Sequence, residues 1–280
     1  MRRHPERREG LEPIRVSVLQ VEARRSKEEA RRAIERLAER SSGDILVTPE
    51  YAMFDPTGMS REEVLRGSEG LDGEWVKALR RLARSKGSCV VGTLFERPRT
   101  GEKPYNTVVA IERDGSIVYV YRKTHLFDAL GYRESSIFQR GEDPPRPFSL
   151  CGIRLGVAVC FEIRYPEIFR VQALDGAEVF IVPSGWYRGP GKEEAYEFLA
   201  QARAHENTAY LVGAILAGER FTGRSLVVDP YGVVRARAGW REEVLEYALD
   251  PGIIEAARRD LPLLELRRTD LYRIEYKRKN

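Results

Sequence analysis

Short, almost wholly apolar runs, parted by turn residues and interleaved with amphipathic stretches, constrain this chain more than any other feature. The runs at 14–20, 44–48, 88–95, 106–112, 116–121, 153–159, 178–182, 209–214, 225–229, 233–238 and 244–248 read as strands, and 27–40, 73–86, 166–175, 192–207 and 252–260 as helices. Turn chemistry marks two strand pairs, Arg113-Asp114-Gly115 between the fourth and fifth strands and Asp229-Pro230-Tyr231-Gly232 between the ninth and tenth. Strands this apolar need cover on both faces. Many strands and few helices therefore predict two sheets packed on each other, with helices outside, in a mixed α/β fold. No Gly/Ser-rich or Pro-rich linker and no short repeat divides the 280 residues, so a single domain is expected over 14–280, preceded by a frayed tail over 1–13.

Composition removes several classes of function. The 47 basic and 43 acidic residues are interspersed, leaving a net charge of only +4 and no dense basic cluster set with aromatics, which argues against nucleic-acid binding. No run is long and apolar enough to cross a bilayer, and the amino terminus has no hydrophobic signal segment, so a cytoplasmic protein is expected, away from membranes. The three cysteines, Cys89, Cys151 and Cys160, include no close pair of the metal-binding kind, and an odd number argues against a complete disulfide framework. Cys89 reads as a small core residue beside Val90 and Val91, and Cys151 as part of a turn before Gly152.

Cys160 differs from both. It ends the apolar run Gly156-Val157-Ala158-Val159 and opens a charged turn leading to Pro166, which suits the first turn of a helix. A thiol at a strand end is held by backbone pairing, and the turn after it can aim an amide N–H at an oxyanion. A neutral thiol needs a base or a positive field to act as a nucleophile. Among the three histidines, His4 lies in the tail and His205 within a helix, leaving His125 as one candidate base. Glu50 is the other: it follows the buried-looking run Ile45-Leu46-Val47-Thr48-Pro49, where a carboxylate must be paired or hydrogen-bonded. Lys123, at the end of another strand, suits an oxyanion donor. Each also has a bland reading, as a packed cysteine, a turn glutamate or a solvated lysine.

The segments Thr48-Pro49-Glu50, Tyr121-Arg122-Lys123-Thr124-His125-Leu126-Phe127 and Gly156-Val157-Ala158-Val159-Cys160-Phe161-Glu162-Ile163-Arg164-Tyr165-Pro166-Glu167 resemble, in that order, the three signature segments of the nitrilase superfamily of carbon–nitrogen hydrolases. The likeness continues through Tyr105-Asn106-Thr107, Ala202–Asn207 and Gly223–Gly232, and covers the chain from Ile14 to about Tyr272. It implies an α-β-β-α sandwich of two mixed sheets, a catalytic Glu50, Lys123 and Cys160, a supporting Glu134, and the backbone N–H of Phe161 at the oxyanion. No metal or organic cofactor is implied. The pattern gives His125 no proton-transfer role and makes it a hydrogen-bonding residue behind Lys123.

What the resemblance implies for function is cysteine-dependent hydrolysis of a C–N bond in a small linear amide or N-carbamoyl compound. Arg164 stands where related carbamoyl-amino-acid hydrolases bind a substrate carboxylate; its bland reading is a salt bridge to Glu162 or Glu167. Trp186, Tyr187 and Tyr196 are expected to wall the pocket. Rival readings are a nitrilase acting on a nitrile, a Cys–His hydrolase using His125, and a binding protein that keeps the fold without catalysis. The likeness also implies a homodimer or larger homo-oligomer, with the apolar C-terminal segment 261–276 crossing to the partner or covering its own sheet.

Overall fold

The computed structural model describes residues 12–277, and its first strand already fixes the layering. Along β1 (Ile14–Gln20), Val16 and Val18 enter one apolar cluster while Leu19 enters another on the opposite face, because successive side chains of a strand alternate. After it come α1 (Lys27–Glu39), β2 (Ile45–Val47), α2 (Arg61–Gly67), α3 (Glu74–Lys86), β3 (Cys89–Glu96), β4 (Tyr105–Ile111) and β5 (Ile117–Arg122). A small hairpin, β6 (Asp128–Ala129) with β7 (Tyr132–Arg133), leads into a 3-10 turn at Glu134–Ser136. The second half runs β8 (Phe148–Leu150), β9 (Ile153–Val157), a 3-10 turn at Cys160–Arg164, α4 (Pro166–Leu174), β10 (Val179–Ser184), α5 (Lys192–Asn207) and β11 (Tyr210–Ile215). It closes with β12 (Leu226–Val228), β13 (Val234–Arg237), β14 (Glu243–Leu249) and α6 (Pro251–Asp260).

Two six-stranded sheets result, ordered β14-β1-β2-β3-β4-β5 and β13-β12-β11-β10-β9-β8. The centre of each is parallel, β1 to β3 in one and β9 to β11 in the other, with antiparallel strands at the flanks. Val16, Val18, Val47 and Val91 share a cluster with Leu155 and Val157, which fills the space between the sheets. The opposite face of the first sheet, with Leu46, Val90 and Val109, packs on the apolar stripes of α1 (Ala33, Ile34, Leu37) and α3 (Trp75, Val76, Leu79). On the second sheet α4 and α5 do the same, with Phe169 of α4 edge-on to Phe180 of β10. This is the α-β-β-α sandwich of one domain that the sequence implies. None of the described helices is long and apolar enough to cross a membrane.

Three features depart from expectation. Between the strands expected at 116–121 and 153–159 the chain adds β6, β7, the turn that carries Glu134, and β8. Helix α2 was not anticipated, although Ser60 and Glu63 form a reciprocal cap at its start. Cys89 and Cys151 are joined as a disulfide, leaving Cys160 as the free cysteine, so the odd count reflects one bridge plus one thiol. Cys89 begins β3 and Cys151 sits in the turn before β9, so the bridge ties one sheet to the other.

The expected tail over 1–13, including His4, lies outside the described residues apart from 12 and 13. In the C-terminal segment Leu264 packs on the core and the Tyr276 hydroxyl donates to the Pro145 carbonyl (2.8 Å), while Leu266, Leu271 and Tyr272 stay exposed.

Candidate active site

The carboxyl ends of the central strands, where α/β proteins gather functional groups, converge on one buried cluster. Glu50 lies just past β2 and has no solvent exposure. A carboxylate so placed must find donors, and Glu50 finds three. Its Oε1 accepts from Asn106 Nδ2 (2.7 Å) and Lys123 Nζ (2.9 Å), and its Oε2 from the backbone N–H of Gly185 (2.7 Å). Gly185 follows β10 from the other sheet, so this bond spans the sandwich. A Cβ there would lie 2.7 Å from the Tyr51 ring and 3.2 Å from Glu50 Oε2, so the approach requires glycine.

Lys123 follows β5 and is equally buried. Besides Glu50, its ammonium donates to both oxygens of Glu134, at 2.9 and 3.1 Å. Burial alone would push Lys123 down, but Glu134 and Glu50 outweigh it and hold its pKa well above the ordinary lysine value. Glu134, also fully buried, accepts from the Phe127 backbone N–H (2.6 Å) and from Asn106 (3.2 Å). Burial, and after it the nearby Glu50 charge, raises its pKa against the pull of Lys123. Asn106 thus bridges the two carboxylates. Its place near the start of β4 was visible in the sequence, its role was not.

Cys160 faces this cluster at the start of its 3-10 turn, with a left-handed φ of 50°. Tyr51, directly after Glu50, is left-handed too, at 63°. Such backbone in a side-chain-bearing residue is strained and persists where the surroundings over-determine it. Here Gln172 of α4 fixes the strand before the thiol, accepting from the Val157 N–H (2.9 Å) and donating to its carbonyl (3.0 Å). Burial pushes the Cys160 thiol well up, the Glu50 charge adds to this, and Lys123 draws it partly back. One cation against two carboxylates leaves no surplus positive charge for a standing thiolate. These surroundings favour the neutral thiol over the thiolate.

Glu162, two residues on, is buried and ties the thiol's turn to the strand end bearing Lys123. It accepts from the backbone N–H groups of Val159 (2.8 Å), Thr124 (2.9 Å) and His125 (3.0 Å), and from the Tyr121 hydroxyl (2.7 Å). The salt bridge to Arg164 foreseen as its bland reading is not formed, and Glu167 does not supply one either. His125 packs at a tilt against Tyr165 and bonds through Nδ1 to Thr124 Oγ1 (2.9 Å), so it serves Glu162 and its loop rather than standing behind Lys123.

The thiol opens onto a cavity with roughly 320 Å³ of atom-free space, part of it open to solvent. Its wall comprises Tyr51, Lys123, Phe127, Cys160, Phe161, Arg164, Gly185, Trp186, Tyr187 and Lys192. Trp186 and Tyr187 fall where the sequence placed them. Tyr196 does not: it is buried behind Trp186, edge-on to the indole, with its hydroxyl bonded to Ser184 Oγ (3.0 Å) and the Val182 carbonyl (3.2 Å). It supports the wall without forming it, since a helix face read from sequence cannot say which aromatic is in front. Arg164 lies over the Trp186 ring at 4.2 Å and over Phe161 at 5.2 Å. Lys192, read from sequence only as a helix start, also reaches this wall.

Comparison with known proteins agrees with the geometry. The carbon–nitrogen hydrolase family profile matches residues 16–259. A deaminated glutathione amidase of Escherichia coli O157:H7 is 33% identical over 204 residues, 73% of this chain and 77% of that protein. An omega-amidase of Saccharomyces cerevisiae is 33% identical over 193 residues, 65% of this chain and 66% of its own. Among solved structures, a carbon–nitrogen hydrolase of Helicobacter pylori superposes with a TM-score of 0.86 at 28% identity, covering 92% of this chain and 97% of the other.

Proposed function

The chain belongs to the carbon–nitrogen hydrolase family, an enzyme of amide C–N bond hydrolysis, and from that premise we propose that Cys160, Glu50 and Lys123 are its catalytic groups. Glu50 takes the thiol proton as Cys160 sulfur bonds to the amide carbon, and the carbonyl π electrons move onto oxygen. That oxyanion is met by the Lys123 ammonium and the Phe161 backbone N–H. Glu50 then gives its proton to the amide nitrogen, the C–N bond breaks, and ammonia or an amine leaves a thioester. Water, deprotonated by Glu50, attacks the thioester; the acid is released and the thiol regains its proton. Glu134 and Asn106 act through Lys123 and Glu50 as positioning residues. No step calls on a metal or cofactor.

The carrying observation is the buried set Glu50–Lys123–Glu134 closing on a neutral thiol at a cavity wall. Cys160→Ala and Glu50→Gln are expected to lower turnover of short amides by on the order of 10⁴-fold or more, with cooperative unfolding retained. Wild-type rates in a folded variant would overturn the assignment.

The substrate in this reading is a small linear amide or N-carbamoyl compound carrying a carboxylate. Half-buried Arg164, with no acidic partner among the described residues, supplies the planar donor pair that such a group fits. The same reading includes a homodimer or larger homo-oligomer, supported by the exposed Leu266, Leu271 and Tyr272 of the C-terminal segment, and sedimentation tests it. It also includes a cytoplasmic location. A disulfide between Cys89 and Cys151 then calls for an interior like that of hyperthermophiles, where intracellular disulfides persist.

A further inference from the structure

The cavity wall is electrostatically one-sided. It carries three cationic side chains, Lys123, Arg164 and Lys192, and no carboxylate. Lys123 is compensated by Glu50 and Glu134 behind the wall. The other two have no acidic partner among the described residues, even though Glu193 and Glu194 follow Lys192 directly in the chain. Both instead address one indole: the Arg164 guanidinium lies 4.2 Å and the Lys192 ammonium 5.4 Å from the Trp186 ring centroid. That ring is fixed from behind by Tyr196 and by its own Nε1–H, which donates to the Lys192 carbonyl (2.8 Å).

We propose that Lys192 is a specificity-determining residue, closing with Arg164 on a single substrate carboxylate in front of Trp186. The proposal rests on the amidase reading given above and adds a second grip to it. Two like charges beside one indole without a counter-ion repel each other; burial, and then Arg164, lowers the Lys192 pKa. An anion between them relieves that repulsion and replaces lost hydration with charge-assisted hydrogen bonds. The two differ in kind. Arg164 offers a fixed planar fork, whereas Lys192 is a point charge on a flexible stem at the first residue of α5, able to follow carboxylates set at slightly different depths.

Succinamate and butanamide, in which a methyl group replaces the carboxylate, test this directly. In Lys192→Met the ratio of kcat/KM for succinamate over butanamide is expected to fall about 10- to 100-fold through KM, with most of it restored in Lys192→Arg. An equal loss on both amides would make Lys192 structural, and wild-type kcat/KM on both would exclude it from the site. Should the wild-type protein hydrolyse neither amide, the reading of a short carboxylate-bearing amide as substrate fails by itself. Calorimetric binding of succinate to Cys160→Ala then decides the second grip: a tenfold or greater weakening on adding Lys192→Met supports it, and equal binding overturns it.

Discussion

The two ends of the sandwich hold the same ingredients, cysteine and glutamate, and do opposite things with them. At the amino ends of the parallel strands Cys89 meets Cys151, with Glu112 alongside accepting from the Cys151 N–H (3.1 Å). At the carboxyl ends Cys160 meets Glu50, Glu134 and Lys123. One sulfur is capped by a second sulfur and becomes a tie between sheets. The other has carboxylates and an ammonium opposite it and stays free. The two buried cysteines, Cys89 and Cys160, differ in what stands across from the sulfur.

Substitutions can pull the two ends apart. Beyond the loss expected for Cys160→Ala, Lys123→Ala should be the most damaging, because it touches both chemistry and folding. Removing the oxyanion donor is expected to cost about 10²–10³ in rate, and leaving two buried carboxylates without a counter-charge about 3–5 kcal/mol of stability. Assays paired with urea unfolding would show both losses; a pure rate loss would mean the carboxylates find other partners.

The disulfide end should behave in the reverse way. Cys89→Ser opens a loop whose ends are 62 residues apart in sequence, with an expected loss of roughly 4 kcal/mol and low-temperature turnover close to wild type. Reductant should destabilise the wild-type protein and leave the variant unmoved. In denaturant without reductant one thiol per chain should titrate, from the free Cys160, and three with it.

The smallest effect concerns pH. Because the Cys160 pKa is raised, the thiol is protonated at neutral pH, and its alkylation by iodoacetamide should keep climbing as pH rises through 9. A plateau near pH 7 would mean a standing thiolate and undo the contrast between base-assisted and preformed nucleophiles.

Much of this was legible in the chain itself. Strand identities followed from apolar runs, and Glu50, Lys123 and Cys160 from their place after such runs together with a family likeness. What escaped depends on contacts distant in sequence. The Cys89–Cys151 bridge joins positions that no local pattern pairs. Glu134 was named through the family likeness, but the turn that carries it, organised partly by its bond to the Phe127 N–H, has no apolar pattern to mark it. Tyr196 and Lys192 exchanged importance because α5 presents its first residue to the cavity and tucks a later aromatic behind it. Helix α2 was the one omission with a local signal, the Ser60–Glu63 pair.

The Trp186 indole, clasped by two cations, also gives the protein an optical probe. Trp75 is buried with its Nε1–H on the Thr93 carbonyl, away from the cavity wall, and Trp240 is largely exposed. An anion arriving at Arg164 and Lys192 changes the field on one fluorophore while the other two serve as internal references. Emission from a Cys160→Ala variant can then follow ligand arrival in a stopped-flow cell, with no turnover to blur the signal.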